Sequence, residues 1–255
     1  MSRKLLVTLL SAASIGGIAL ASGTASADLI GVNFVVQGTG TAANSLSATS
    51  TAGFIPQENF NNDVSSTSLG GTGPTSISKA DLLDSTGTAT NVSISGSFNN
   101  NYETGTHPVN GANYALLYGE FKTGKSSSAS VTLSGLGSGS YNLVVYTVAD
   151  FFNVSSITGT FSVGSDSQTV LEQKGANFDG TFVKATDNTP GNYIEFTNIT
   201  PVSGDITLNI SSVGGSNVGV DGIQLQTVPE PASVGIFGAG AAGLMLLSRR
   251  RRALK

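Results

Sequence analysis

The chain has 255 residues, of which 11% are charged, and it contains neither Cys nor Trp, so disulfides and thiolate metal sites are excluded. Every arginine lies at one of the two ends, and the body from Asp28 to Val228 sets fifteen Asp and Glu against five Lys (Lys79, Lys122, Lys125, Lys174, Lys184), a formal charge of −10. An acidic body without a guanidinium has nothing to fork onto phosphates, which argues against a nucleic-acid partner.

At the N-terminus, Arg3 and Lys4 precede an apolar run over residues 5–20, and Ala25-Ser26-Ala27 is a small-residue cleavage site. This order predicts a secretory signal helix over residues 1–27, cut by a signal peptidase after Ala27 with Ala25 and Ala27 as the recognised positions. The mature chain would begin at Asp28. Residues 28–228 then form one expected domain, long enough to bury a sizeable core.

Its text is β throughout. Gly, Ser, Thr and Asn separate short β-branched and aromatic runs, and no long stretch repeats with a helical period. Strands are expected at residues 30–36, 92–98, 114–121, 130–133, 141–148, 157–163, 168–171, 181–184, 194–197, 206–211 and 218–226. Ile206, Leu208 and Ile210 alternate with Thr207, Asn209 and Ser211, which gives one buried and one wet face. Residues 141–148 (YNLVVYTV) are apolar at nearly every position, as a strand buried on both faces would be. Residues 37–51 and 65–78 are Ser/Thr/Gly-rich and read as long loops. The spacing predicts an all-β fold: a two-sheet antiparallel β-sandwich, jelly-roll-like.

Residues 229–255 change character. Pro229-Glu230-Pro231 is followed by an uncharged run over 232–247 and a basic cluster over 249–255 that opens with Arg249, Arg250, Arg251 and Arg252. At about 1.5 Å per residue the run reaches roughly 24 Å, slightly short of a bilayer core of about 30 Å. It reads as a single membrane helix whose arginines snorkel to the headgroups and hold the C-terminus on the cytoplasmic side. That three-part order resembles the PEP-CTERM sorting signal of bacterial exported proteins. The resemblance implies transient residence in the inner membrane, processing by an exosortase, and a final place at the cell surface or in the extracellular matrix.

Within the body, IGVNF at 30–34, AGFIPQENFNN at 52–62, LLDSTGTAT at 82–90, VTLSGLGSGSYNLVVY at 131–146, GNYIEFTNI at 191–199 and VDGIQL at 220–225 look like a group of PEP-CTERM proteins from environmental bacteria. Where those relatives often place Trp, this chain has Phe60. The closing VDGIQL also resembles the last strand of galactose-binding-like jelly rolls, carbohydrate-binding modules among them, and that resemblance implies sugar or exopolysaccharide binding.

A sugar site needs an aromatic platform beside amide and carboxylate partners, because a sugar offers an apolar C–H face rimmed by hydroxyls. The candidates are Tyr102, Tyr118, Asp150, Phe151, Phe152 and Asn153. Oxygen-rich stretches at 81–84, 177–179 and 187–188 offer Ca²⁺ ligands without the spacing of a recognised calcium loop, so a structural Ca²⁺ stays open while no other cofactor is expected. His107, the only histidine, has no nucleophile motif to partner it. Asp150, Glu120, Glu195 and Asp221 fall on or beside strands, but nothing singles out a catalytic pair. Three readings stand: a non-catalytic structural or adhesive sandwich, a carbohydrate-binding module, and a glycosidase. The first is preferred.

Overall fold

β1 (Leu29–Gln37) sends Ile30, Val32, Phe34 and Val36 to one side, where all four join the main hydrophobic core. The computed structural model describes residues 28–37, 44–68, 74–104, 111–149 and 157–229, with backbone alone for 65–68. All belong to the unit Ser26–Glu230. The signal segment, residues 150–156 and the tail from residue 230 lie outside the described residues, as does His107. Among the described residues no helix is long and apolar enough to cross a membrane.

The strands that follow are β2 (Asn61–Ser68), β3 (Thr75–Lys79), β4 (Ser93–Phe98), β5 (Asn100–Glu103), β6 (Gly119–Lys122), β7 (Ser128–Ser134) and β8 (Ser140–Tyr146). They continue with β9 (Ile157–Val163), β10 (Asp166–Glu172), β11 (Tyr193–Ile199), β12 (Ile206–Ser212), β13 (Gly219–Val220) and β14 (Gly222–Val228). A five-stranded sheet runs β11-β8-β14-β1-β2, a six-stranded sheet runs β10-β9-β12-β7-β4-β3, and a three-stranded sheet runs β13-β6-β5.

The inner faces of the two large sheets close the core. Leu143 and Val145 of β8 and Ile223 and Leu225 of β14 share it with Val131 and Leu133 of β7 and Leu208 and Ile210 of β12. Phe121 of β6 stacks on Phe34 of β1 with centroids 5.2 Å apart and meets Phe98 of β4 edge-on at 5.5 Å. One ring trio thereby ties the small sheet to both large ones.

The two outer faces differ. The six-stranded sheet turns hydroxyls outward: the register aligns Ser78, Ser95, Thr132 and Thr207 across four strands, with Thr132 and Thr207 Oγ1 atoms 3.1 Å apart. The five-stranded sheet turns out Val144 and Tyr146 of β8 and Tyr193 of β11, and these pack into a second apolar cluster with Leu46, Phe60, Leu116 and Phe178. Residues 141–148 are thus buried on both faces, as their composition demands.

Several expectations need correction. Residues 114–121 do not form one strand: α1 (Ala112–Leu116) precedes β6. A helical turn buries Ala115 and Leu116 in the second cluster, and this packing overrides the β-propensity of the segment. Residues 181–184 form no strand, since the Asn192 side chain takes Val183 N–H and Thr181 O, and only Lys184 bridges to Tyr193. Residues 65–78 are not one loop, because β2 reaches Ser68 and β3 begins at Thr75. The sandwich has a third sheet, and β2 runs parallel to β1, so the fold is mostly rather than wholly antiparallel. The strand expected at 218–226 breaks at Asp221, whose N–H reaches Tyr146 O and whose carbonyl accepts from Phe34 N–H as the chain passes from β13 to β14.

β1 and β14 are antiparallel, so the start of the first and the end of the last meet at one pole. Asp28 N–H donates to Thr227 Oγ1 at 2.8 Å, and Thr227 N–H donates back to Asp28 O at 2.9 Å. The ends of β8 and β10 and the junction at Asp221 lie at the opposite pole.

Candidate functional site

At that opposite pole three carboxylates are buried together. β6 carries Glu120 and Lys122 two residues apart, hence on one face; Glu172 closes β10; Asp221 occupies the β13–β14 junction. Glu120, Glu172 and Asp221 are each 0% exposed and Lys122 is 3% exposed. Lys122 Nζ lies 3.8 Å from Glu120 Oε2 and 4.5 Å from the centroid of the Tyr102 ring.

Backbone and hydroxyl donors hold the other two acids. Glu172 accepts from the Thr147 hydroxyl and, at 3.2 Å, from Gly219 N–H. Asp221 Oδ2 accepts Val148 N–H at 2.9 Å, while Oδ1 meets no donor among the described residues. Gly219 is required here, because a Cβ at this position would lie inside the Glu120 side chain.

Burial sets the electrostatics. It pushes the Glu172 carboxyl up to about 8, against the opposing pull of the Thr147 and Gly219 donors and the Lys122 charge. Asp221 is raised well above the carboxylate range, first by burial and then by the neighbouring charges of Glu120 and Glu172. Burial therefore favours the protonated forms of Glu172 and Asp221, while Glu120 has the Lys122 ammonium beside it. The cluster is closed to solvent, so it can bind a proton and tie three sheets together, but a bulky substrate does not reach it.

The sequence candidates are partly assembled here. Tyr102 on β5 pairs with Glu120 in register and underlies Lys122. Tyr118, just before β6, is pushed up to about 12 by burial and by its hydrogen bond to the Glu103 carboxylate. Both are partly buried and structurally engaged. Asp150, Phe151, Phe152 and Asn153 lie outside the described residues. Glu195 is not among the charges acting on Glu172 and Asp221 and pairs with Lys184 at 3.5 Å.

The oxygen-rich stretches serve their own turns. Asp84 Oδ1 accepts Thr86 N–H at 2.8 Å and Thr88 N–H at 3.0 Å; Asp179 accepts Thr181 N–H at 2.9 Å; Asp187 accepts the Asn188 amide at 2.7 Å. Among the described residues no three acids or imidazoles converge to hold a metal ion.

Glu172 was missed by sequence reasoning. Its signal was period two, since it follows Val170 on the inward face of β10.

A second buried polar network, made of neutral groups, fixes the 52–57 loop to the outer face of the five-stranded sheet. The Tyr146 hydroxyl donates to Gln224 Oε1 and accepts Phe54 N–H at 2.6 Å. Gln224 Oε1 also accepts Ile55 N–H, while its Nε2 donates to Ile55 O at 2.7 Å and Gln57 Oε1 at 2.8 Å. Gly53 N–H is taken by Asn113 Oδ1 at 3.0 Å, and Gly53 itself adopts φ 96°, a left-handed conformation that strains any other residue. The rest of the AGFIPQENFNN segment is equally committed. Asn61 holds Gly31 O and both backbone groups of Leu83, Asn62 holds both of Leu46, and Phe60 is buried. Phe54 alone among its aromatics stays exposed, at 39%.

A groove of about 610 Å³ opens near the pole of the termini, between the β9–β10 turn and the β11–β12 connection. Its walls carry Thr197, Asn198, Val202 and Asp205 and no aromatic side chain.

β14 ends at Val228, and the chain continues as Pro229-Glu230-Pro231 toward the apolar run and the arginines. Residues 227–252 match the PEP-CTERM protein-sorting motif. The PEP-CTERM motif implies an exported protein processed by an exosortase. No curated protein matches the chain. Among solved structures, the body is similar to the CBM36-1 domain of a multidomain xylanase from the hindgut metagenome of Trinervitermes trinervoides, at 12% identity over 44% of this chain and 82% of that one, TM-score 0.29. It is also similar to CBM35 from Cellvibrio japonicus, at 14% identity over 45% and 75%, TM-score 0.30. An exo-β-1,3-galactanase from Phanerochaete chrysosporium aligns at 14% identity over 60% of this chain and 40% of its own, TM-score 0.28. Likenesses of this size assign no residue and no ligand to this chain.

Proposed function

We propose that the chain is an exported envelope protein whose sandwich works by contact rather than by catalysis, as a structural or adhesive body delivered by its sorting signal. The observation that carries this reading is the closure of the acidic cluster. Glu120, Glu172 and Asp221 are each 0% exposed, with Glu120 beside Lys122, Glu172 held by the Thr147 hydroxyl and Asp221 held by Val148 N–H. A glycosidase needs two carboxylates facing each other across an open cleft.

The pairing of Asp28 with Thr227 supports a mature form from Asp28 to near Pro229. Both cuts would then fall at one pole, outside every strand, and would leave the core intact. Intact-mass analysis of protein recovered from envelope and medium, with and without exosortase, tests this. A species spanning those limits is expected only with exosortase. A tail retained in its presence would reduce the protein to a simple membrane-anchored one, and sugar release from polysaccharide that Glu120→Gln abolishes would overturn the non-catalytic reading.

A further inference from the structure

We propose that Phe54, stacked on Tyr193 at the tip of the 52–57 loop, is the platform of a binding site for a neutral saccharide ring. The proposal rests on the reading of the body as a non-catalytic contact module and names what it contacts.

The loop is held far more firmly than a surface turn requires. Tyr146 and Gln224, both 0% exposed, together with Gln57 at 3%, direct their polar atoms to its backbone or to one another. Such a network fixes a backbone in one place. Yet the residue at the loop's tip is a phenylalanine left 39% exposed. Its ring lies 4.3 Å from that of Tyr193 at 22°, so the side chain is fixed as well as the backbone. A rigid, exposed aromatic loses little conformational freedom on binding, which is the property of a preorganised contact residue.

The surroundings choose the ligand. Tyr193 and Glu195 alternate on β11 and share its outer face, where Lys184 pairs with Glu195 at 3.5 Å. The side chains of Lys184 and Glu195 are 46% and 27% exposed, so a donor and an acceptor stand together on the face that carries Tyr193. A pyranose has an apolar C–H face and a rim of hydroxyls that both donate and accept. One ring pair is too small for a stable protein interface, which buries about 800 Å² on each partner. The formal charge of −10 on the body opposes an acidic polymer, which leaves a neutral saccharide.

Affinity gel electrophoresis of the full-length protein in detergent, through gels containing β-1,4-galactan, arabinoxylan, laminarin or alginate, tests the site. Retardation by at least one neutral polysaccharide is expected, with at least a tenfold loss of affinity in Phe54→Ala and near-wild-type affinity in Phe54→Tyr. Because the chain lacks Trp, tyrosine emission reports binding of the matching oligosaccharide directly, and near-UV circular dichroism verifies that Phe54→Ala is folded. Equal retardation of wild type and a folded Phe54→Ala would move the site elsewhere while leaving the contact reading in place. No retardation by any neutral polymer, or retardation by alginate alone, would overturn the saccharide assignment; the non-catalytic reading fails separately, through sugar release.

Discussion

The buried network under the 52–57 loop and the one at the β13–β14 junction perform the same mechanical task with opposite chemistry. Gln57, Gln224 and Tyr146 join a loop to a sheet through neutral donors and acceptors that match one another. Glu120, Glu172, Asp221 and Lys122 join three sheets through groups that ionise, with more acids than bases. The first network is indifferent to pH, and burial only pushes the Tyr146 phenol further from ionisation. The second couples the fold to protons, because a charge in a low-dielectric interior is held only when paired or neutralised.

That contrast can be broken at its strongest point by Lys122→Met, which keeps most of the unbranched stem and removes the ammonium beside Glu120. A loss of about 3–5 kcal/mol is expected in denaturant unfolding at neutral pH, the cost of stranding a buried charge. A loss below about 1 kcal/mol would mean that the acids are already neutral there.

Next in size is the pH dependence. Glu172 is held above its ordinary value, so its contribution to stability is complete below pH 4.5 and is lost as pH rises through about 8. Within that window each acid that stays protonated only in the folded state lowers stability by about 1.4 kcal/mol per pH unit. Glu172→Gln should flatten the slope and stabilise the alkaline side; an unchanged slope would assign the proton to another member of the cluster.

Gln224→Ala should cost about 1–3 kcal/mol by leaving the Tyr146 hydroxyl and the Ile55 backbone unpaired, with the same loss at every pH between those limits. A pH-dependent loss would erase the distinction between the two networks. The smallest expected effect on stability is that of Phe54→Ala, about 0.5–1.5 kcal/mol for one lost ring contact, measurable as a small fall in Tm. A fall as large as that of Gln224→Ala would make Phe54 a structural residue.

The sequence was informative where a local pattern and its burial agree. β9 runs over Ile157–Val163 as expected, β12 buries Ile206, Leu208 and Ile210, and β8 is buried on both faces because it is central and covered outside. It failed at residues 114–116, expected to open a strand, where a helical turn carries Leu116 into the second cluster. The candidate site was legible in pieces. Glu120 and Asp221 both lie on or beside expected strands, but they are about a hundred residues apart in the chain, and no local pattern says that two strands will meet. Gln224 reads as an outward-facing strand residue until the 52–57 loop folds over it.

What the sequence by itself determined is the arginine-free acidic body, the β character set by period-two alternation, and the sorting motif, because each is written in neighbouring residues. Only the tertiary structure decided which acids lose their solvent and which aromatic keeps it. Burial depends on what packs against a side chain, and in this fold the residues that cover Glu172 and Gln224, and the ring that supports Phe54, come from distant parts of the chain.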